Sequence, residues 1–161
     1  MNHSSVATQE RESAAPALAA MRDSFTDHTR RLAVACCVDG KLDPVRLDRM
    51  QLACYELAFA RAELLAAEIA LESAGGGLPA GVDDRLRLTF VVEALDSVRT
   101  RLGQVALDVG HSEALARESH SLPGLRQTYL SGQALDQTGR EVMEYDGELG
   151  LVELSGELAI A

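Results

Sequence analysis

Tryptophan is absent from this chain, aromatic residues amount to three tyrosines and three phenylalanines, and Lys41 is the only lysine among 15 basic residues. Threonine is sparse, and valine and isoleucine are modest beside alanine and leucine. That mixture favours helix over sheet, because Ala and Leu lose little side-chain freedom in a helix. Only three cysteines occur, Cys36, Cys37 and Cys54, and none is in the CxxC spacing of a redox or zinc site. An odd count argues against a disulfide framework, so all three are expected as apolar thiols on helix faces. No stretch approaches 18 uninterrupted apolar residues, and the N-terminus carries no apolar core of a signal peptide. Membrane spanning and export are therefore not expected, and the cytoplasm is the default location. Positive charge is also in deficit: 25 acidic residues against 15 basic give a net charge of −10. Such a chain is repelled by phosphate backbones and by anionic lipid, which argues against nucleic-acid and membrane partners. The near-exclusive use of arginine reads as a genomic bias, not as a binding feature.

What is present is length and periodicity. At 161 residues and 47% hydrophobic composition the chain makes one ordinary domain that needs no metal or disulfide to fold. Residues 1–15 are polar and without period, and are expected as a mobile N-terminal tail. A first helix is expected from Pro16, with Leu18, Met21, Phe25, Leu32 and Cys36 as its stripe, broken by Asp39-Gly40. A second is expected over 44–74, with Asp43 as cap and Pro44 at its first position. On its wheel Cys54, Tyr55, Ala58, Phe59, Ala62, Leu65, Ala66 and Ile69 form one broad apolar face, suited to close approach of another helix. Glu56, Arg61, Glu63, Glu68 and Glu72 lie on the other half, with Leu57, Leu64 and Leu71 running between them as a second seam. A helix with two apolar sides packs against more than one neighbour, so it is either the centre of a bundle or the site of a partner. The loop 73–81 ends it.

A third helix is expected over 83–110, opened by Asp83 or Asp84 and closed by Gly110. Its seam is Leu88, Val91, Leu95, Val98, Leu102, Val105 and Val109, the three-and-four alternation of a long helix–helix contact. The two helices form an antiparallel hairpin with arms of roughly 40 Å at ~1.5 Å per residue. Beyond it the pattern weakens: a short helix at 113–119, a break at Pro123-Gly124, and a helical stretch over 125–143 interrupted by Gly132 and Gly139. The fold class is thus all-α, an antiparallel bundle of four to five helices around a long hairpin, with the bundle domain over 16–143. Residues 144–161 form a C-terminal extension whose end, 147–161, reads equally as a short hairpin or a frayed helix.

Reactive constellations are not visible. The only spacing related to a di-iron helix bundle, Asp108-x-x-His111, straddles the terminating Gly110. His3, His28 and His120 form no ligand pattern, and no GxSxG elbow is present. Gly75-Gly76-Gly77 lacks the preceding strand and following Lys-Ser or Lys-Thr of a phosphate loop. No metal and no catalytic residue is expected. Arg61 and Glu63 are read as an ion pair at a helix–helix boundary, and Leu57, Leu64 and Leu71 are the candidate helix interface.

The hairpin does resemble a known family. MQLACYELAFARAELLAAEIALESA (50–74) resembles the first long helix of the C-terminal helical domain of acyl-CoA dehydrogenases. In both a Gln opens the helix (Gln51), a Leu-Ala pair follows (Leu57-Ala58), and an acidic residue precedes an Ala-rich stretch (Glu63 with Ala66-Ala67). LRLTFVVEALDSVRTRLGQVALDVG (86–110) is similar to the next helix, which ends in glycine. The resemblance spans about 60 residues. The family's Gly-Gly pair is replaced here by Gly110-His111, and Glu144-Tyr145-Asp146-Gly147 has the letters of its catalytic stretch in another order. No catalytic role is carried over, and cofactor-binding residues stay unassigned. The resemblance implies a small subunit or domain, non-catalytic alone, that supports FAD-dependent acyl-CoA oxidation through a homo-oligomer or a flavoprotein partner, with FAD held only in partnership. The alternative from the residues themselves is a non-enzymatic helical-bundle interaction module.

Overall fold

A computed structural model describes residues 3–73, 80–110 and 122–144. They form an all-helical bundle with one short two-stranded ribbon: α1 (His3–Ala35), β1 (Cys37–Val38), β2 (Lys41–Leu42), α2 (Pro44–Arg49), α3 (Gln51–Glu72), α4 (Ala80–Asp108), α5 (Leu122–Tyr129) and α6 (Gly132–Glu144). The expected short helix at 113–119, the glycine triplet and the end of the chain lie outside the described residues.

α1 carries the expected stripe, with Leu18, Met21, Leu32 and Cys36 buried and Phe25 packed against the core. It does not open at Pro16. The helix runs back to His3 and holds Pro16 inside it, with Ala14 and Ala17 buried on either side of the proline. His28 completes the stripe and is fully buried, with its Nδ1 2.8 Å from the Ser24 carbonyl. At the end of α1 the chain reverses through a ribbon that periodicity does not reveal. Cys37 pairs with Leu42 and Val38 with Lys41, and both turn residues have positive φ (Asp39 49°, Gly40 74°). Positive φ at both central positions is the type I′ pattern that Asp-Gly favours.

Asp43 and Pro44 act as read: Asp43 Oδ1 accepts from Arg46 N at 2.8 Å and Pro44 occupies the first turn. The helix they open is not continuous to 74. At Met50 the backbone leaves helical geometry (φ −101°, ψ 17°), dividing the expected helix into α2 and α3. α4 begins at Ala80, three residues before Asp83, and Gly110 closes it at φ +71°. At ~1.5 Å per residue the 22 residues of α3 and 29 of α4 give arms of about 33 and 43 Å.

α4 is the centre of the bundle. It packs on α1, α3, α5 and α6, and its whole seam from Leu88 to Val105 is buried, together with Val92, Ala94 and Ala106. α3 and α1 pack on each other and on one side of α4; α5 and α6 cover the rest. Pro123 and Gly124 do not break the chain: they sit in the first turn of α5, where proline's missing N–H removes only a donor that has no helical partner. Leu122, Leu125 and Tyr129 then face the core. Gly139 likewise lies inside α6 instead of interrupting it, with Ser131 Oγ accepting from Ala134 N at 3.3 Å ahead of the helix.

α3 turns one of its two apolar sides inward. Ala53, Leu57, Ala60, Leu64 and Ala67 are buried and Leu71 is half-buried against the core, in steps of four and three. The broad face expected to receive another helix points outward instead. Neighbouring leucines show the contrast: Leu64 is 0% exposed and Leu65 is 45% exposed. Leu64→Ala is expected to lower unfolding free energy by about 2–5 kcal/mol in urea titrations. Leu65→Ala should stay within about 0.5 kcal/mol. The reverse ranking would mean that α3 presents its other face to the core.

Candidate functional site

About 100° of rotation per residue separates successive side chains on α3, so its core seam centres on Leu57 and Leu64, opposite Tyr55, Ala62 and Ile69. That outer face is apolar over its length. Leu52, Tyr55, Phe59, Leu65 and Ile69 are exposed large hydrophobics, with Tyr55 65% exposed and Phe59 and Ile69 each 55%. Ala58 and Ala62 lie among them, exposed, with Ala66 half-buried. Phe90 and Leu86 of α4 extend the apolar surface, and a groove of about 440 Å³ lined by Ala62, Ala66, Phe90, Ala94 and three polar side chains runs along the α3–α4 boundary.

The charges of α3 are gathered on the two flanks, where they meet other helices. On the α4 flank, Arg101 donates from Nε to Glu63 (3.1 Å to Oε2) and from Nη1 to Glu56 (2.8 Å to Oε2), and Ser97 Oγ donates to Glu63 at 2.9 Å. The Arg101 carbon also stands 5.0 Å from the Phe59 ring centroid, so a cation covers part of that exposed aromatic. On the α1 flank, Glu68 takes Arg22 at 3.1 Å and Arg61 at 3.6 Å. Arg61 and Glu63 thus both enter ion pairs at helix boundaries, but with other partners and on opposite sides. Hydrogen bonds donated to Glu63, then to Glu56, raise the Arg101 pKa and hold the guanidinium charged.

Leu57, Leu64 and Leu71, the candidate interface residues, therefore line helix contacts within the chain. The residues left for contacts outside it are Tyr55, Phe59, Leu65 and Ile69. Their sequence signal was legible as an apolar face; its outward direction was not.

Elsewhere the described residues offer little reactive chemistry. No group of three or more His, Cys, Asp or Glu side chains among them could hold a metal ion. The cysteines are free, with Cys36 buried and Cys37 and Cys54 half-buried. Burial pushes the Cys36 thiol above its ordinary pKa, the neighbouring Cys54 and Cys37 add to the rise, and Arg46 opposes it. A groove of about 550 Å³ beside α2 is lined by Pro44, Leu47, Asp48, Gln51, Cys54, Tyr55 and Ala58. Its single charge, the Asp48 carboxylate, would repel a flavin pyrophosphate, and Arg61 and Arg101 are held by glutamates.

Two outcomes test this electrostatic layout. Arg101→Ala leaves Glu56 and Glu63 facing each other without their cation and is expected to cost about 1–3 kcal/mol in denaturant titrations. Arg101→Ala in a Glu56→Gln/Glu63→Gln background should cost clearly less; an equal cost would show that the arginine acts by packing alone. Cys36 should alkylate more slowly than Cys37 at mildly alkaline pH, since it is buried where Cys37 is half-buried and burial raises its own pKa. Its raised pKa means that the folded state keeps a proton the unfolded state has lost. Its contribution to stability is thus complete below the ordinary thiol pKa and falls away as pH rises through the folded value.

A comparison with models of known protein families finds none that matches the chain, and a comparison with curated proteins finds no match.

Proposed function

We propose that this chain is a non-enzymatic helical-bundle interaction module that works by laying the outer face of α3 against another protein surface. One observation carries this: between Leu52 and Ile69 the outward face of α3 presents Leu52, Tyr55, Phe59, Leu65 and Ile69 to solvent, with the exposed charges Arg61 and Glu72 at its edges, although the chain has a net charge of −10. Exposed single hydrophobics are ordinary, but a contiguous apolar strip along a whole helix is a feature of interaction surfaces. Large side chains interleaved with alanines form the contoured surface that helix-on-helix recognition uses. The flanking ion pairs support the same reading. They stiffen α3 between α1 and α4, so a partner meets a preformed surface and little ordering entropy is lost on binding.

Capture from cell extract with the full chain and with a Phe59→Glu/Leu65→Glu variant tests this. Both positions are exposed, so circular dichroism should be unchanged and the unfolding free energy should shift only by the lost Phe59–Arg101 ring contact, about 1 kcal/mol or less. The native chain is expected to retain a stoichiometric partner, a second copy included. The variant should lose it by on the order of a hundredfold, because each buried glutamate would lack a counter-charge. Equal retention by both would refute the proposal. A flavin-absorbing complex retained by both would instead favour the supporting role in acyl-CoA oxidation that the resemblance implies.

A further inference from the structure

Building on that reading of the α3 face, we propose that its occupant is a second copy of this chain, with α3 packed antiparallel on α3 of the partner about a two-fold axis at Ala62. The residue order on the face carries this arrangement. Tyr55 and Phe59 lie on the N-terminal side of Ala62 and Leu65 and Ile69 on the C-terminal side, all of them exposed. A two-fold axis at Ala62 sets alanine on alanine at the centre, where the backbones come closest. It places Tyr55 against Ile69 of the partner subunit, and Phe59 against Ala66 of the partner subunit beside Leu65 of the partner subunit. Each large side chain then meets a smaller one, the condition for helix surfaces to interdigitate. An isologous contact of this kind closes on itself and stops at the dimer.

Area and charge point to the same occupant. The exposed aromatic and aliphatic side chains of this face, with Phe90 at its edge, present on the order of 700 Å² per protomer. Burial of that whole surface would approach the ~800 Å² that each partner contributes to a standard stable interface. Two chains of like net charge repel at long range, so a self-contact is feasible only where few acidic groups are brought together. On α3, Glu56 and Glu63 are held at one flank by Arg101 and Glu68 at the other by Arg22 and Arg61; the exposed Glu72 falls at the height of Leu52 of the partner subunit, and the exposed Glu93, in the groove beside Ala62, is the acidic group that added salt has to screen. Association between such surfaces strengthens as added salt screens the net repulsion. A partner recruited by opposite charge would show the reverse dependence.

Sedimentation equilibrium of the full chain, from about 1 to 100 µM, reads the outcome directly. The expected species is twice the 17.2 kDa chain mass, more populated at higher salt. Ala62→Glu should give a monomer with unchanged circular dichroism and unfolding midpoint, since Ala62 is exposed in the single chain. Ala62→Arg alone should also be monomeric, because like charges then meet at the axis. An equimolar mixture of the two variants should recover the dimer, since only a two-fold axis at this position sets residue 62 against its own copy. A native chain that stays monomeric over this range overturns the self-contact while leaving the interaction-module reading to the capture experiment. A dimer that survives Ala62→Glu, weakens with salt, or is not recovered in the mixture overturns it equally.

Discussion

The constraint on which the structure depends is the burial of α4. Leu88, Val91, Leu95, Val98, Leu102 and Val105 all reach zero exposure, and Val92, Ala94 and Ala106 extend the apolar surface around the helix. A helix apolar over so much of its circumference has to be enclosed, at ~25 cal/mol for each Å² of apolar surface taken from water. α1 and α3 supply one side of that enclosure and α5 and α6 the other. Each needs only one stripe to do so. α3 has a second, and the described helices leave it uncovered.

Electrostatics decides how α3 is oriented within this arrangement. Its five charged residues fall on the two flanks of the wheel. In those places Arg101 of α4 and Arg22 of α1 meet them, and Arg61 closes the α1 side from within the helix. The partly exposed pairs contribute little each to stability, on the order of 1 kcal/mol or less. They matter more for register. Turning α3 to bury Tyr55, Phe59 and Ile69 would carry Glu56 and Glu63 away from Arg101. The large exposed aromatics would also need more room than the Ala53–Ala60–Ala67 side leaves between helices. Ala53, Ala60 and Ala67 alternate with Leu57 and Leu64 on the buried side, while Tyr55 and Phe59 stay outside and give the outer surface its relief.

Much of the architecture was legible in local sequence. The α4 seam, the α1 stripe from Leu18 to Cys36, the Asp43–Pro44 start and the Gly110 stop all follow from periodicity or backbone chemistry that a few residues contain. Misreadings cluster where local preference is overridden. Pro16 lies inside a helix because the buried positions beside it, Ala14, Ala17, Leu18 and Met21, gain more from burial than proline costs the helix, about 3 kcal/mol in general terms, whereas Gly139 costs α6 only about 1 kcal/mol. Pro123 is tolerated because the first turn has no use for its N–H. The turn at Asp39-Gly40 was visible as a break, but a ribbon with two pairs per strand is too short to leave a period-two signal. Met50 has no local feature that marks the division of α2 from α3.

For the candidate site, sequence alone determined that the helix over 51–72 has two apolar sides and charges between them, since a wheel needs nothing beyond residue order and helical pitch. It also determined that α4 would be buried along a continuous seam. It could not determine which side of α3 meets that seam. Both sides are apolar, so burial alone favours neither strongly. The choice rests on inter-helix distance and on cations supplied by residues 22 and 101, far away in the chain. Only the tertiary structure brings Arg22 and Arg101 to opposite flanks of α3, and with them the outward direction of Tyr55, Phe59, Leu65 and Ile69.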